Sequence, residues 1–258
     1  MASSALRARG VPVLRHPGQG DPEPPEILHL DLNARGDLFR DGFLALENVT
    51  DADDLATIRS LVAPWLDGGS HLRRGARARD LGGGPNAPIH EVTNLTRLEP
   101  RLLQTRFFRR AVQTTRALYG PSARLMFDHV ISKPPRNGKA TAWHQDCAYG
   151  HSLTFSARRL HWWLPLQDAA VENGCMQFVR GSHSGPVLPH RRIAPGAHSR
   201  TVSAPFDQSR VVACPLPAGG ATIHLPKTLH YTGPNETDAE RLAWIVQVGV
   251  RSRLPMLL

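Results

Sequence analysis

The chain has 258 residues, of which 41% are hydrophobic and 21% charged, and this composition is typical of one large globular domain. The formal net charge of +9 comes almost entirely from scattered arginines without a zinc-finger or RNP-type pattern, so a nucleic-acid partner is not favoured. No apolar run approaches the roughly 20 residues of a membrane-spanning helix. The three cysteines are widely spaced and form no CxxC pair, which argues against a disulfide framework or a cysteine zinc site and favours a reducing, cytoplasmic compartment.

The first 26 residues predict a disordered arm. They carry Arg7, Arg9 and Arg15 with no acidic residue before Asp21, a pattern that is also typical of a transit peptide. Gly and Pro are frequent between positions 17 and 25, and this favours the disordered arm. We therefore expect an arm over residues 1–26 and a single domain over residues 27–258.

Two helices are predicted in the first half of the domain. The run Thr50-Asp51-Ala52-Asp53 precedes apolar residues at helical spacing from Leu55 to Val62, which indicates a capped amphipathic helix that ends before Gly68. Residues 73–88 are rich in Gly and Arg and predict a loop. A second helix is predicted over residues 100–118, before Gly120-Pro121.

The second half alternates short β-type runs with Pro/Gly turns. Such spacing is typical of an antiparallel sandwich or barrel. Residues 181–209 are rich in Pro, Gly, Ser, Arg and His, and a long irregular stretch of this kind is usually a lid or a disordered segment. The predicted strands are 125–132, 140–146, 160–166, 177–179, 210–213, 221–225 and 241–250.

A candidate metal site lies in the run Trp143-His144-Gln145-Asp146. Residues i and i+2 of a strand point to the same face, so His144 and Asp146 are candidates to bind one metal ion. His230 is the best third candidate, since it follows a β run and a proline turn. Two imidazoles and one carboxylate make the facial triad of non-haem iron(II) oxygenases, which leaves three coordination positions open. In a chain with thirteen histidines, however, the pair alone is a weak signal, and a structural role for His144 stays open.

Arg241 follows His230 by eleven positions and begins an apolar run with strand alternation. A 2-oxo diacid bound inside an apolar barrel needs its far carboxylate neutralised, and arginine does this with a charge-assisted pair. Taken alone, Arg241 is better explained as a surface residue at the end of a strand.

In combination, these motifs resemble the phytanoyl-CoA dioxygenase (PhyH-like) branch of the 2-oxoglutarate oxygenases. The resemblance runs from about residue 27 to residue 250 and rests on the order and spacing of seven motifs: Gly42-Phe43 ahead of the first predicted helix, Lys133-Pro134-Pro135, Trp143-His144-Gln145-Asp146, Glu172-Asn173-Gly174-Cys175-Met176, Gly181-Ser182-His183, His230 and Arg241.

The resemblance implies a mainly β fold, with a double-stranded β-helix (jelly-roll, cupin-like) core and flanking α-helices. It implies Fe(II) bound by His144, Asp146 and His230, with 2-oxoglutarate and O₂ as cosubstrates. It also implies that Arg241 pairs with the distal carboxylate of 2-oxoglutarate. Four further residues are implied in cosubstrate binding: Thr232 through its hydroxyl, Trp162 and Met126 as lining residues, and His90 where many relatives carry a lysine.

The implied reaction decarboxylates 2-oxoglutarate to succinate and oxidises a C–H bond of a small organic substrate. Related halogenases lack the carboxylate ligand, so Asp146 favours hydroxylation over halogenation, while desaturation, epimerisation and cyclisation stay open. The alternatives are a cupin-like metal enzyme without 2-oxoglutarate, a non-catalytic binding protein on the same scaffold, and, from the charge alone, a nucleic-acid demethylase.

The sequence does not identify the substrate, and we expect a small secondary metabolite or acyl derivative. We expect loops to shape its pocket, namely residues 73–88, 149–151 and 181–209. Arg191, Arg192 and Arg200 are candidates to pair with an acidic group of the substrate, although solvated loop arginines explain them equally well.

Overall fold

The computed structural model describes residues 13–14, 28–66, 75–81, 89–149, 158–194 and 198–251. Both predicted helices are present, as α2 and α4, although α4 begins at Arg106 because residues 100–104 form a 3₁₀ helix instead. They begin at side-chain caps, because Asp51 accepts from the Asp54 N–H and Thr105 accepts from the Phe108 N–H. The four α-helices are α1 (Leu32–Asp41), α2 (Ala52–Val62), α3 (Leu95–Leu98) and α4 (Arg106–Tyr119).

Most of the remaining elements are strands, and all seven predicted strands are present with ends shifted by a few residues. The strands are β1 (Val13–Leu14), β2 (Phe43–Leu46), β3 (Arg77–Asp80), β4 (His90–Thr93), β5 (Arg124–Lys133), β6 (Thr141–His144), β7 (Arg159–Pro165), β8 (Met176–Val179), β9 (His190–Arg192), β10 (Arg200–Val202), β11 (Val211–Cys214), β12 (Ala221–His224), β13 (His230–Thr232) and β14 (Arg241–Gly249).

Two facing sheets form the double-stranded β-helix that the resemblance implied. The larger sheet has the order β1-β2-β12-β7-β14-β5-β4-β3, and the smaller has the order β11-β8-β13-β6. Apart from the parallel pair β1–β2, the described neighbours are antiparallel. The fold is therefore mainly β with flanking helices, as expected.

The central strands of the larger sheet are buried on both faces, which is why β7 and β14 consist of buried residues throughout. The outer face packs against the helices around Trp162, Trp244 and Phe107. The inner face and the smaller sheet enclose a second core, in which the rings of Phe43 and Phe178 stack with centroids 4.5 Å apart. The inner face therefore directs alternate side chains into the barrel.

The structure corrects three expectations about elements and adds a helix that was not predicted. Gly42-Phe43 precedes the first predicted helix, α2, but follows the additional helix α1, which ends at Asp41. Residues 73–88 are not all loop, because β3 lies within them. Asp146 is not on a strand, because β6 ends at His144 and Asp146 begins a 3₁₀ turn. The described part of residues 181–209 is not irregular throughout, because β9 and β10 form an antiparallel hairpin there.

The predicted arm lies outside the described residues except for β1, whose backbone pairs with β2. All three cysteines are buried and free, as the spacing predicted. None of the helices that the structure describes is long and apolar enough to span a membrane.

Candidate metal centre and active site

His144, Asp146 and His230 come together inside the barrel. His144 ends β6 and lies directly opposite His230, which begins β13, and their ring centroids are 4.1 Å apart. The Nε2 atoms of His144 and His230 lie 3.6 and 3.8 Å from Oδ1 of Asp146. One atom from each residue lies within 4.8 Å of the others, which is a suitable spacing for three ligands of one metal ion.

Backbone contacts orient both imidazoles towards this centre. His144 Nδ1 lies 2.7 Å from the Ala142 carbonyl, and His230 Nδ1 lies 2.9 Å from the Thr228 carbonyl. A carbonyl can only accept, so Nδ1 carries the proton in each ring and the Nε2 lone pair faces the centre. Ring orientation and tautomer therefore both favour metal binding.

The protonation states of the ligands also favour metal binding. Burial opposes ionisation of Asp146, but the neighbouring His230 and His161 outweigh it and hold the pKa of that carboxyl well below its usual range. Burial, together with the charge of His144, holds the pKa of His230 well below its usual value. The centre thus offers a carboxylate and a neutral imidazole, which are the forms that bind a metal.

Two histidines that the sequence analysis did not select lie behind Asp146. His161 on β7 and His224 on β12 are register partners, and both point into the barrel. His161 Nδ1 lies 2.5 Å from Asp146 Oδ2, and His224 Nε2 lies 3.4 Å from the same oxygen. These three residues form a second candidate metal group. The contact of His161 is a hydrogen bond, however, and His161 lines neither cavity described below, so we assign His161 to positioning Asp146, whereas His224 lines the small cavity.

A small cavity of about 60 Å³ extends from the metal centre to Arg241. Arg241 is almost fully buried, its guanidinium lies 5.8 Å from the centroid of the Trp163 ring, and its Nε has no hydrogen-bond partner among the described residues. Burial lowers the pKa of Arg241 to about 10, so it remains cationic at neutral pH. A buried cation that faces a cavity requires an anion there.

Lys133 is a further residue of this region that the sequence analysis quoted only as part of a motif. It is fully buried, and its Nζ donates to Thr232 Oγ1 at 3.1 Å and to the carbonyls of Thr232 and Gly233. Because Thr232 Oγ1 accepts from Lys133, its own proton can be directed into the small cavity. Burial and the neighbouring Arg241 hold the pKa of Lys133 well below its usual value.

The small cavity fits one end of a dicarboxylate whose other end binds the metal. The resemblance implies that Arg241 supplies the charge and Thr232 a hydroxyl donor, and both residues line the cavity. The orphaned Nε of Arg241 is the observation that supports 2-oxoglutarate here, because a metal site alone leaves that buried donor without a partner.

Two of the residues implied in cosubstrate binding lie elsewhere. The expectation for Trp162 is wrong: its ring packs in the outer core, and its Nε1 donates to Thr115 Oγ1, whereas Trp163 lines the small cavity. His90 lines neither cavity, because alternation along β4 turns Glu91 inward instead. Met126 lines the larger cavity described next.

A larger cavity of about 560 Å³ opens on the other side of His144 and Asp146. Its wall includes Phe127, Tyr149 and the pair of Glu91 and His129, whose Oε1 and Nδ1 are 2.6 Å apart. The volume suits a small organic molecule. Of the residues in the segments expected to shape this pocket, Arg79, Leu81, Tyr149, His198 and Ser199 line it, whereas 150–151 lie outside the described residues.

Gln145, between the two ligands, ties the metal centre to the hairpin β9–β10. Its Nε2 donates to the Lys227 carbonyl at 2.7 Å, and its Oε1 accepts from the Leu188 N–H at 2.7 Å. Its backbone N–H donates to His190 Nε2 at 3.1 Å. The segment leading into the hairpin is thereby held against the residues that bind the metal.

The family model described as Phytanoyl-CoA dioxygenase (PhyH) matches residues 38–243. A probable alpha-ketoglutarate-dependent hypophosphite dioxygenase of Stutzerimonas stutzeri is 29% identical over 156 residues, which are 57% of this chain and 52% of that protein. Phytanoyl-CoA dioxygenase domain-containing protein 1 of Bos taurus is 32% identical over 119 residues, which are 44% of this chain and 40% of that protein. The chain thus spans about half the length, or less, of these relatives.

Solved structures of similar proteins share the fold. EvdO2 from Micromonospora carbonacea var. aurantiaca, complexed with 2-oxoglutarate, superposes with a TM-score of 0.75 at 30% identity and covers 90% of this chain and 96% of that one. The epimerase SnoN from nogalamycin biosynthesis superposes with a TM-score of 0.64 at 27% identity, covering 83% and 81%. The family model covers most of the sequence, and the structure brings a two-histidine, one-carboxylate centre together with a buried arginine. The chain therefore belongs to the phytanoyl-CoA dioxygenase family of 2-oxoglutarate-dependent non-haem iron dioxygenases.

Proposed function

We propose that this chain hydroxylates a C–H bond of a small organic molecule, as an Fe(II)- and 2-oxoglutarate-dependent dioxygenase. The observation that carries the proposal is the position of the His144–Asp146–His230 centre between two cavities. The smaller cavity ends at Arg241 and suits the cosubstrate, and the larger is open to a second molecule. A cupin-like enzyme without 2-oxoglutarate has no use for the buried guanidinium.

Each residue of the centre has a role in this proposal. Iron(II) would be held by His144 Nε2, His230 Nε2 and Asp146 Oδ1. Arg241 and Thr232 would bind the distal carboxylate of 2-oxoglutarate, and Lys133 would orient the Thr232 hydroxyl. When bound, the metal supplies O₂ activation coupled to decarboxylation of 2-oxoglutarate to succinate and CO₂. The protein positions the substrate in the larger cavity and limits the access of water.

Hydroxylation is favoured over halogenation because Asp146 provides the carboxylate that related halogenases lack. The substrate class is supported by the similarity to SnoN, an enzyme of nogalamycin biosynthesis. On that basis we propose a tailoring step on a natural product, with the substrate held in the 560 Å³ cavity.

The proposal is tested first by anaerobic absorption spectroscopy. Adding Fe(II) and then 2-oxoglutarate to the purified chain should produce a weak visible charge-transfer band that requires both additions. The band should be absent from His144→Ala and require far more 2-oxoglutarate in Arg241→Ala, whereas the exposed-residue control His29→Ala should match the wild type. Absence of a band from well-folded wild-type protein would overturn the cosubstrate assignment. Hydroxylation itself is tested by candidate natural products that gain one oxygen atom from ¹⁸O₂ as succinate forms.

A further inference from the structure

The larger cavity contains more positive charge than the iron and cosubstrate require. Of the described residues that line it, three are arginines (Arg79, Arg159 and Arg251) and two are carboxylates (Glu91 and Asp146). Asp146 belongs to the metal centre. Glu91 is already paired, since its Oε1 contacts His129 Nδ1 and its Oε2 lies 3.8 Å from Arg79. Among the described residues that line the cavity, arginines therefore outnumber carboxylates, and one of them, Arg159, also has a favourable electrostatic interaction with Asp146.

The cosubstrate does not account for this excess. Asp146, an iron(II) ion and a 2-oxoglutarate dianion together carry one net negative charge, which Arg241 offsets. Arg241 also lies at the opposite end of the barrel from Arg159. On β14 it precedes Gln247 by six positions, or about 20 Å of extended strand, and Arg159 pairs with Gly249 beyond Gln247. One 2-oxoglutarate molecule cannot contact both arginines.

Arg159 and Gln247 form a donor-rich part of the larger cavity. Both side chains line it, and each is less than a tenth exposed. Arg159 Nη1 donates to Gln247 Oε1 at 3.0 Å. Because that contact occupies the amide oxygen, Gln247 turns its NH₂ donors away from Arg159. Guanidinium and amide donors side by side are suited to a carboxylate, phosphate or sulfate.

We propose that the substrate of this chain carries an anionic group, which binds to Arg159 and Gln247 at the end of the larger cavity remote from Arg241. The proposal rests on the proposed function, because it assigns the larger cavity to the substrate. In this proposal, Arg159 and Gln247 bind the acidic group of the substrate, in place of Arg191, Arg192 and Arg200, which the sequence analysis named as candidates. None of these three lines the cavity, and Arg191 and Arg192 are exposed on β9.

Binding of matched probes tests the proposal without turnover. The probes are 3-phenylpropanoate, 2-phenylethyl phosphate and the neutral 3-phenylpropanamide, which share a phenylethyl skeleton. Each is titrated calorimetrically into the anaerobic full-length chain with Fe(II) and saturating 2-oxoglutarate, so that the Arg241 site is already filled. We expect the better anion to bind at least about tenfold more tightly than the amide, since hydrogen bonds to charged groups are the stronger ones. Comparison of the 3-phenylpropanoate and 2-phenylethyl phosphate titrations shows which anion is preferred.

Three variants assign the effect to the residues. Arg159→Gln should abolish the preference for the anion, and Gln247→Leu should reduce it while leaving the guanidinium in place. Arg191→Gln, a surface arginine outside the cavity, should retain it. Equal or tighter binding of the amide, no binding by either anion, or an undiminished preference in both Arg159→Gln and Gln247→Leu would overturn the proposal. Failure of the proposed function would appear separately, as loss of the charge-transfer band. The affinities of the three probes are measured whether or not that band appears.

Discussion

His161 Nδ1 lies 2.5 Å from Oδ2 of Asp146, on the side of the carboxylate away from the other two candidate ligands. His161 is fully buried, and burial lowers its pKa to about 4, so it is a neutral donor to that oxygen. The contact leaves Oδ1 directed at the metal centre. We predict that His161→Phe, which fills the space without donating, weakens metal binding by about tenfold to a hundredfold.

The measurement is the affinity of the chain for Mn(II) or Co(II), followed by EPR or absorption titration with circular dichroism as a check on folding. His29→Phe provides a matched control at an exposed position. Unchanged metal affinity in a folded His161→Phe protein would show that Asp146 is positioned by other contacts.

The neighbouring residues Trp162 and Trp163 should respond differently to the same substitution. Trp162→Leu should lower the free energy of unfolding by about 2–4 kcal/mol, because the ring fills the core beside α4, with little change in the Kd for 2-oxoglutarate. Trp163→Leu should raise that Kd, because Trp163 lines the small cavity beside Arg241. Urea unfolding and titration of the charge-transfer band measure the two effects. If Trp162→Leu raised the Kd for 2-oxoglutarate and Trp163→Leu did not, β7 would present its other face to the cosubstrate.

Gln145 should control the hairpin β9–β10 rather than the metal. We predict that Gln145→Ala increases amide hydrogen exchange in residues 186–192, since it removes the contacts to Leu188 and Lys227. Metal affinity should change little, because both flanking ligands keep their own backbone or side-chain contacts. Hydrogen exchange followed by mass spectrometry checks this, with the exposed Gln208→Ala as control. Unaltered exchange in the hairpin would refute the anchoring role.

Glu91 should make stability depend on pH. Burial opposes its ionisation, but the hydrogen bond and charge of His129 outweigh burial and lower the pKa of Glu91 from the ordinary 4.5. A carboxyl with a lowered pKa in the folded state contributes stability that is full above about pH 4.5 and is lost as the pH falls through the folded value. Glu91→Gln should therefore lower the free energy of unfolding by about 1–3 kcal/mol at pH 7, and by progressively less below pH 4.5.

Urea unfolding at a series of pH values measures this difference. The exposed Glu172→Gln should follow the wild type over the whole range. If the loss of unfolding free energy in Glu91→Gln stayed constant from pH 7 to pH 3, the stabilising role given to ionised Glu91 beside His129 would be contradicted.

The sequence alone predicted many of the elements and a candidate ligand set. β-type runs between Pro/Gly turns predicted seven of the strands, polar residues before a helical pattern predicted α2, and helical spacing before Gly120-Pro121 predicted α4, because these signals depend on near neighbours in the chain. The spacing of His144, Asp146, His230 and Arg241, together with the resemblance, pointed to residues that the structure does bring together.

Only the tertiary structure decided which face of a strand points into the barrel. Alternation fixes that Trp162 and Trp163 point to opposite faces, but β7 is buried on both, so hydrophobicity could not show which of the two lines the cavity. His90 was expected in the site only from the resemblance, and the strand β4, which turns Glu91 towards the larger cavity instead, was not predicted. Contacts between residues far apart in the chain were equally hidden: Arg159 meets Gln247 only when β7 pairs with β14, and His161 meets Asp146 only when the 3₁₀ turn after β6 comes against β7. Local sequence fixes periodicity and capping, whereas the phase of a doubly buried strand and its partners across the barrel are set by packing of the whole domain.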